Sequence, residues 1–204
     1  NLGLGRQGNG ASLFVKDDSG EDTVVLNGAT GSVGIGRDGR EGTLFVKNRA
    51  GQNTIRLDGQ SGDILLSNAD CAEDFDIAPD VAAVEPGTVL TIDDQTHLRP
   101  ADRPYDHRVI GVVSGAGSYQ PALVLDRHPS SNHRAPVALI GKVYCKVDAG
   151  FAPIKAGDLL TTSPTLGHAM KAIDPQRTPG AVLGKALVDL ASGQRLIPVL
   201  VTLH

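Results

Sequence analysis

The sequence predicts an all-β protein: a trimeric β-helical shaft of 31-residue repeats over residues 1–67, then a compact all-β domain of β-clip or barrel type over residues 68–204. Three observations carry this. A repeat is laid twice, head to tail; its apolar residues come as i, i+2 pairs; and nothing after it sustains a helical period of 3.6 residues.

Asn1 to Gly31 aligns without a gap on Ser32 to Gly62, and a third copy begins at Asp63 and breaks off. The apolar pairs are Leu2/Leu4, Leu13/Val15 and Val24/Leu26, then Val33/Ile35, Leu44/Val46 and Ile55/Leu57, then Ile64/Leu66. Such pairs, set between Gly, Asn, Asp and Ser, predict short half-buried strands joined by tight turns. Gly5, Gly8, Gly20, Gly28 and Gly31 recur as Gly36, Gly39, Gly51, Gly59 and Gly62, as turn positions do.

Strands of this kind hide two or three side chains each, too few to offset the ordering of more than about sixty residues in a lone chain. A single-chain solenoid also wants about three or more repeats with caps. Association therefore fits better than a monomeric or stacked solenoid. Three chains winding around a common axis would bury the paired positions against one another, making these fourteen residues the shaft core.

Composition excludes several function classes. The net charge of −4 is dispersed, without the basic stripe that nucleic acid requires. No apolar run is long enough to span a membrane, and the chain starts at Asn1 without a signal-type segment or an initiator Met, which predicts a processed or truncated chain. With no Trp, three Tyr and four Phe, aromatic platforms for broad glycan or single-strand binding are scarce. Cys71 and Cys145 read as two buried thiols, with an intrachain disulfide left open.

After Leu66 the segment SNADCAEDFDIAPD reads as an acidic, turn-rich junction. Strands are expected at 88–92, 109–114, 122–125, 137–147, 158–161, 169–173, 181–187 and 196–203, divided by EPG, HPSS, APIKAGD, SPTLG, RTPG and ASGQ. Short curled strands between such turns suit a clip or small barrel.

In their order, NADCAEDFDIAPD, EPGTVLTID, YDHRVIGVVSGAG, VALIGKVYCKV, IKAGDLLTTSPTLGHAMKA and GAVLGKAL resemble the C-terminal domain of phage neck-appendage and tail-fibre proteins, the autoproteolytic intramolecular chaperone domain. The resemblance covers residues 68–204 and implies a homotrimer whose C-terminal domain registers three chains before the shaft zips up. Physics supports that order, because near-identical repeats slip by one unit at little enthalpic cost. The resemblance also implies self-cleavage by acidic residues, and the matching positions are Asp70, Glu73 and Asp74.

Read from the residues alone, that acidic cluster is solvated turn chemistry at a domain junction. The expected protein is thus structural and not an enzyme, a fibre or spike segment of a phage-like or bacterial surface appendage, extracellular or particle-associated. An autoproteolytic chaperone is the first alternative, and a receptor- or glycan-binding tip, contacting through residues 128–134, the second. Its expected partner is itself, as a homotrimer, with other appendage subunits or a cell-surface receptor as further partners, and neither nucleic acid nor membrane.

No cofactor or metal is expected. His97, His107, His128, His133, His168 and His204 form no ligand motif. Ser114 and Ser163, with Lys142, Lys155 and Lys171 nearby in sequence, lack a nucleophile elbow and read as turn serines and strand-edge lysines. GLGRQG and GIGRDG echo a phosphate loop but no helix follows them. In PIKAGDLLTTSP, Gly157 and Asp158 read as a turn that redirects the chain.

Overall fold

The computed structural model describes residues 2–7, 10–129 and 133–202, with side chains from residue 12 onward. His204 and, within the expected contact segment 128–134, Ser130, Ser131 and Asn132 lie outside the described residues, as do the side chains of Leu2 and Leu4. The chain is all-β and divides into two compact units, 1–67 and 68–204.

In the first unit, β1 (Leu2–Gln7), β2 (Gly10–Lys16), β3 (Asp22–Asn27) and β4 (Ser32–Ile35) form a four-stranded antiparallel meander, and β5 (Thr43–Lys47), β6 (Asn53–Asp58) and β7 (Ile64–Leu66) a three-stranded one. The repeat is kept in the register. Leu13 opposes Leu26 as Leu44 opposes Leu57, Leu26 opposes Val33 as Leu57 opposes Ile64, and each ladder slips after the same position, Val15 or Val46. The same side-chain chemistry builds the turns. The Asp17 and Asn48 side-chain oxygens each accept two backbone N–H bonds across the first hairpin, at 2.9 to 3.1 Å, and Asn27 and Asp58 do so across the second. Gly20 and Gly51 take the positive φ that closes the first hairpin in each copy.

Period-two alternation places the paired apolar residues in two cross-strand rows on one face. Leu13–Leu26–Val33 and Val15–Val24–Ile35 recur as Leu44–Leu57–Ile64 and Val46–Ile55–Leu66. Among the described residues, no hydrophobic side chain of this unit is buried.

The second unit holds the core. Its strands are β8 (Asp70–Asp76), β9 (Val89–Ile92), β10 (Leu98–Pro100), β11 (Val109–Val113), β12 (Pro121–Leu125), β13 (Arg134–Asp148), β14 (Leu159–Thr162), β15 (Ala169–Lys171), β16 (Val182–Ala186) and β17 (Gln194–Thr202). The order β13-β15-β14-β16-β17 closes on itself, because β17 also pairs with β13. This five-strand barrel encloses Val143, Cys145, Val147, Leu160, Leu183, Val199 and Val201.

β13 spans both halves of the unit: its first residues pair with β8 and β11, while its later ones pair with β17 along Ile140 to Asp148. Around the first half a second core gathers Ile77, Leu90, Leu98, Val113 and Val137, with Phe75 against it.

One expectation is overturned here. The segment read as a solvated, turn-rich junction forms β8, inserted between parallel β12 and antiparallel β13. Its period-two alternation sends Asp70, Ala72 and Asp74 to one side, all buried, and Cys71, Glu73 and Phe75 to the other. Two flanking strands supply the ladder bonds that outweigh the poor strand propensity of aspartate. Leu98–Pro100, likewise outside the expected strands, is a short edge against β9.

Candidate functional site

Two features stand apart from ordinary packing. The first is the apolar face of the 1–67 unit. Nine of its side chains (Val15, Leu26, Val33, Ile35, Leu44, Val46, Ile55, Leu57 and Ile64) are between 38% and 69% exposed, while Leu13, Val24 and Leu66 are half-buried. Val33 and Ile35 from the first sheet join Leu44, Leu57 and Ile64 from the second in one groove of about 460 Å³. A similar groove of about 370 Å³ lies between Leu13, Leu26 and Val33 beside the turn at 28–31, one repeat earlier. Nine exposed apolar side chains gathered on one face are the pattern of an interaction surface, unlike the singly scattered apolar residues of an ordinary monomer surface.

The second feature is a buried carboxyl at the start of β8. Asp70 is 3% exposed, and its Oδ2 accepts a 2.7 Å hydrogen bond from the Ser114 hydroxyl, itself buried at the end of β11. Oδ1 is enclosed with no hydrogen-bond partner. Desolvation raises the Asp70 pKa above its ordinary value, and the Ser114 bond only partly offsets this.

Gly141 makes the placement possible. Opposite Asp70 on β13, it has φ +113°, and a Cβ there would lie 2.6 Å from the Ala69 carbonyl oxygen and 2.9 Å from the Asp70 Cα. Around this point Ala69 N–H donates to Gln120, the Lys142 N–H donates to Ala69, and the Lys142 ammonium stands over the Tyr119 ring.

The three acidic positions therefore part company. Asp70 is buried beside a hydroxyl. Asp74, on the same side, takes a two-point grip from Arg127 at 3.0 and 3.1 Å. Glu73 is half-buried on the opposite side. Arg134 adds a structural staple, donating to the Asp74 carbonyl at 2.6 Å and to both the carbonyl and the carboxylate of Asp126. A carboxyl held toward its protonated form next to a hydroxyl is able to donate or accept a proton in a dry setting.

The remaining sequence candidates are dispersed. Ser114 turns to Asp70 and not to a lysine; Ser163 caps Thr165; Lys155 and Lys171 pair with Asp189 and Asp158, both at 2.8 Å or less. The turn at Gly157 and Asp158 is closed by the Asp158 carboxylate accepting from the Lys155 N–H. Among the described residues, no group of three or more His, Cys, Asp or Glu side chains is placed to hold a metal. Both cysteines are free, Cys71 half-buried and Cys145 buried, where desolvation pushes its thiol pKa up.

Comparison with known proteins adds little to these residues. No family model and no curated protein matches the chain. Among solved structures, the pre-mature bacteriophage phi29 gene product 12 is similar at a TM-score of 0.44 and 16% identity, over 74% of this chain and 24% of that one. The chain thus spans about a quarter of that protein's length. No helix among the described residues is long and apolar enough to cross a membrane.

Proposed function

We propose that this chain is a structural segment of a phage-like or bacterial surface appendage, in which three copies associate through the apolar face of the 1–67 unit and the 68–204 unit sets their alignment. The observation that supports this reading is the two-row apolar face, repeated at 31 residues and left open by the single chain. An apolar face left open to water is unfavourable unless something covers it. The 68–204 unit, by contrast, has cores of its own, which supports its folding without the shaft.

Expressed alone, residues 68–204 should be soluble and trimeric, whereas residues 1–67 alone should aggregate or stay unfolded, since ordering entropy then meets almost no burial. Light scattering on the two fragments decides it. A well-defined shaft trimer beside a monomeric 68–204 fragment would reverse the roles assigned.

Self-cleavage is the second reading, and the buried Asp70 beside Ser114 is what favours it. On this reading a chain incubated for days at pH 5 and pH 7 yields two fragments divided near 67–76, and Asp70→Asn leaves it whole. An intact mass from the parent chain rejects it.

A further inference from the structure

The two repeats share a backbone but not a charge pattern, and the difference falls at opposite ends of the sheets. In the second repeat the turn 47–53 carries Lys47 and Arg49, both exposed, with Asn53 where the first repeat has Asp22. The turn at the other end, 58–63, carries Asp58 and the exposed Asp63. Arg56 neutralises Asp58 within the chain at 2.7 Å, which leaves Asp63 as the carboxylate open to another partner.

The first repeat is arranged otherwise. Its turn 27–32 has no charged residue, whereas 16–22 holds four carboxylates against Lys16, a net charge of −3. Most of that charge is engaged internally, Lys16 with Asp22 at 2.6 Å and both Arg37 and Arg40 with Asp17 at 3.0 and 3.6 Å, while Asp18 and Glu21 remain exposed.

Resting on the self-association reading above, we infer that the apolar face is covered by further copies of this chain in strict register, and that Lys47 and Arg49 of one copy meet Asp63 of the next. A closed ring joins two different surfaces of each copy; with the opposite ends of the sheet as those surfaces, the 47–53 turn of one chain faces the 58–63 turn of the following one. In register, the second repeat sets cations against a carboxylate and the first sets its acidic turn against an uncharged one.

A slip of one 31-residue unit loses this pairing. In one direction it places the exposed Asp18 and Glu21 of the 16–22 turn beside Asp63; in the other it leaves Lys47 and Arg49 against the uncharged 27–32 turn. Both the attraction and the like-charge penalty act on the choice of register, which makes the pattern a device for specificity more than for affinity. The repeats are therefore not equivalent to an incoming copy, although their apolar rows are.

The full-length chain with Cys71→Ser as background tests this by oxidative cross-linking. Lys47→Cys combined with Asp63→Cys should close into covalent trimers, and Lys16→Cys combined with Asp63→Cys, the pair a slip would bring together, should remain as single chains. Equal or better cross-linking of the second pair overturns the register assignment, as does an intact trimer in which neither pair cross-links. A monomer by mass overturns the self-association reading itself. Charge reversal supplies the second measurement: Asp63→Lys should lower the thermal midpoint of the trimer and adding Lys47→Glu should restore it, and failure of the second change to restore it also counts against the pairing.

Discussion

Leu44→Asp is expected to abolish assembly of the full-length chain. Leu44 occupies the centre of the exposed apolar face, opposite Leu57 and in the groove with Val33, Ile35 and Ile64. A carboxylate there would be repeated in each copy and buried without a cation, at a cost of about 3–5 kcal/mol per uncompensated charge, more than the assembly of such short rows can absorb. Lys16→Gln is the matching control, because it removes only a partly exposed pair with Asp22, worth about 0–1 kcal/mol. Size-exclusion with light scattering distinguishes the outcomes. A Leu44→Asp protein that elutes and melts like the parent would remove the apolar rows from the interface.

Asp70→Asn should have the opposite character, stabilising the 68–204 unit at neutral pH, because the amide keeps a bond to Ser114 without the desolvation cost of a buried carboxylate. The sign follows from the raised pKa. Because the folded value lies above the ordinary 3.8, the native state holds its proton longer than the unfolded chain does. Stability from this group is therefore complete below 3.8 and falls as pH rises until the folded pKa is passed. The paired carboxylates Asp106, Asp148 and Asp158 have lowered pKa values and act in the reverse sense, so only the difference between parent and variant isolates Asp70.

Urea midpoints followed by tyrosine fluorescence report on this unit alone, since Tyr105, Tyr119 and Tyr144 all lie within it. The gap between variant and parent should widen from pH 4 to pH 7. Identical midpoints across that range would mean that the carboxyl is solvated. A gain in stability on removing a charge is the mark of a group retained for reasons other than folding.

How much of this was legible in the sequence depends on the length scale of the signal. The repeats were, because the apolar pairs and turn residues recur at a fixed interval and each pair needs only its own strand to be recognised. Most strands of the second unit were too, as runs such as VALIGKVYCKV have few other ways to be buried. The strand Asp70–Asp76 was not. Its alternation of Asp, Ala and Asp against Cys, Glu and Phe has a clear period of two, but the buried side is the polar one, so a rule that expects apolar residues inside assigns it to solvent.

The partnership of Asp70 with Ser114 is invisible for a second reason. The two are 44 residues apart, and only the passage of β8 beside β13, over Gly141, brings them together. The closure of β17 onto β13 is likewise a long-range pairing that no local pattern announces. The charge asymmetry of the repeats was present in the sequence throughout, yet it acquires meaning only when the meander assigns residues 47–53 and 58–63 to opposite ends of one sheet.

The central claim is that this chain completes its N-terminal unit only by joining copies of itself, and the mass of the soluble full-length protein tests it most directly. Native mass spectrometry or sedimentation equilibrium should give three times the 21.2 kDa chain, stable to dilution. A single 21.2 kDa species at micromolar concentration, folded over residues 1–67, would contradict it, because the exposed apolar rows would then persist in water with nothing to cover them.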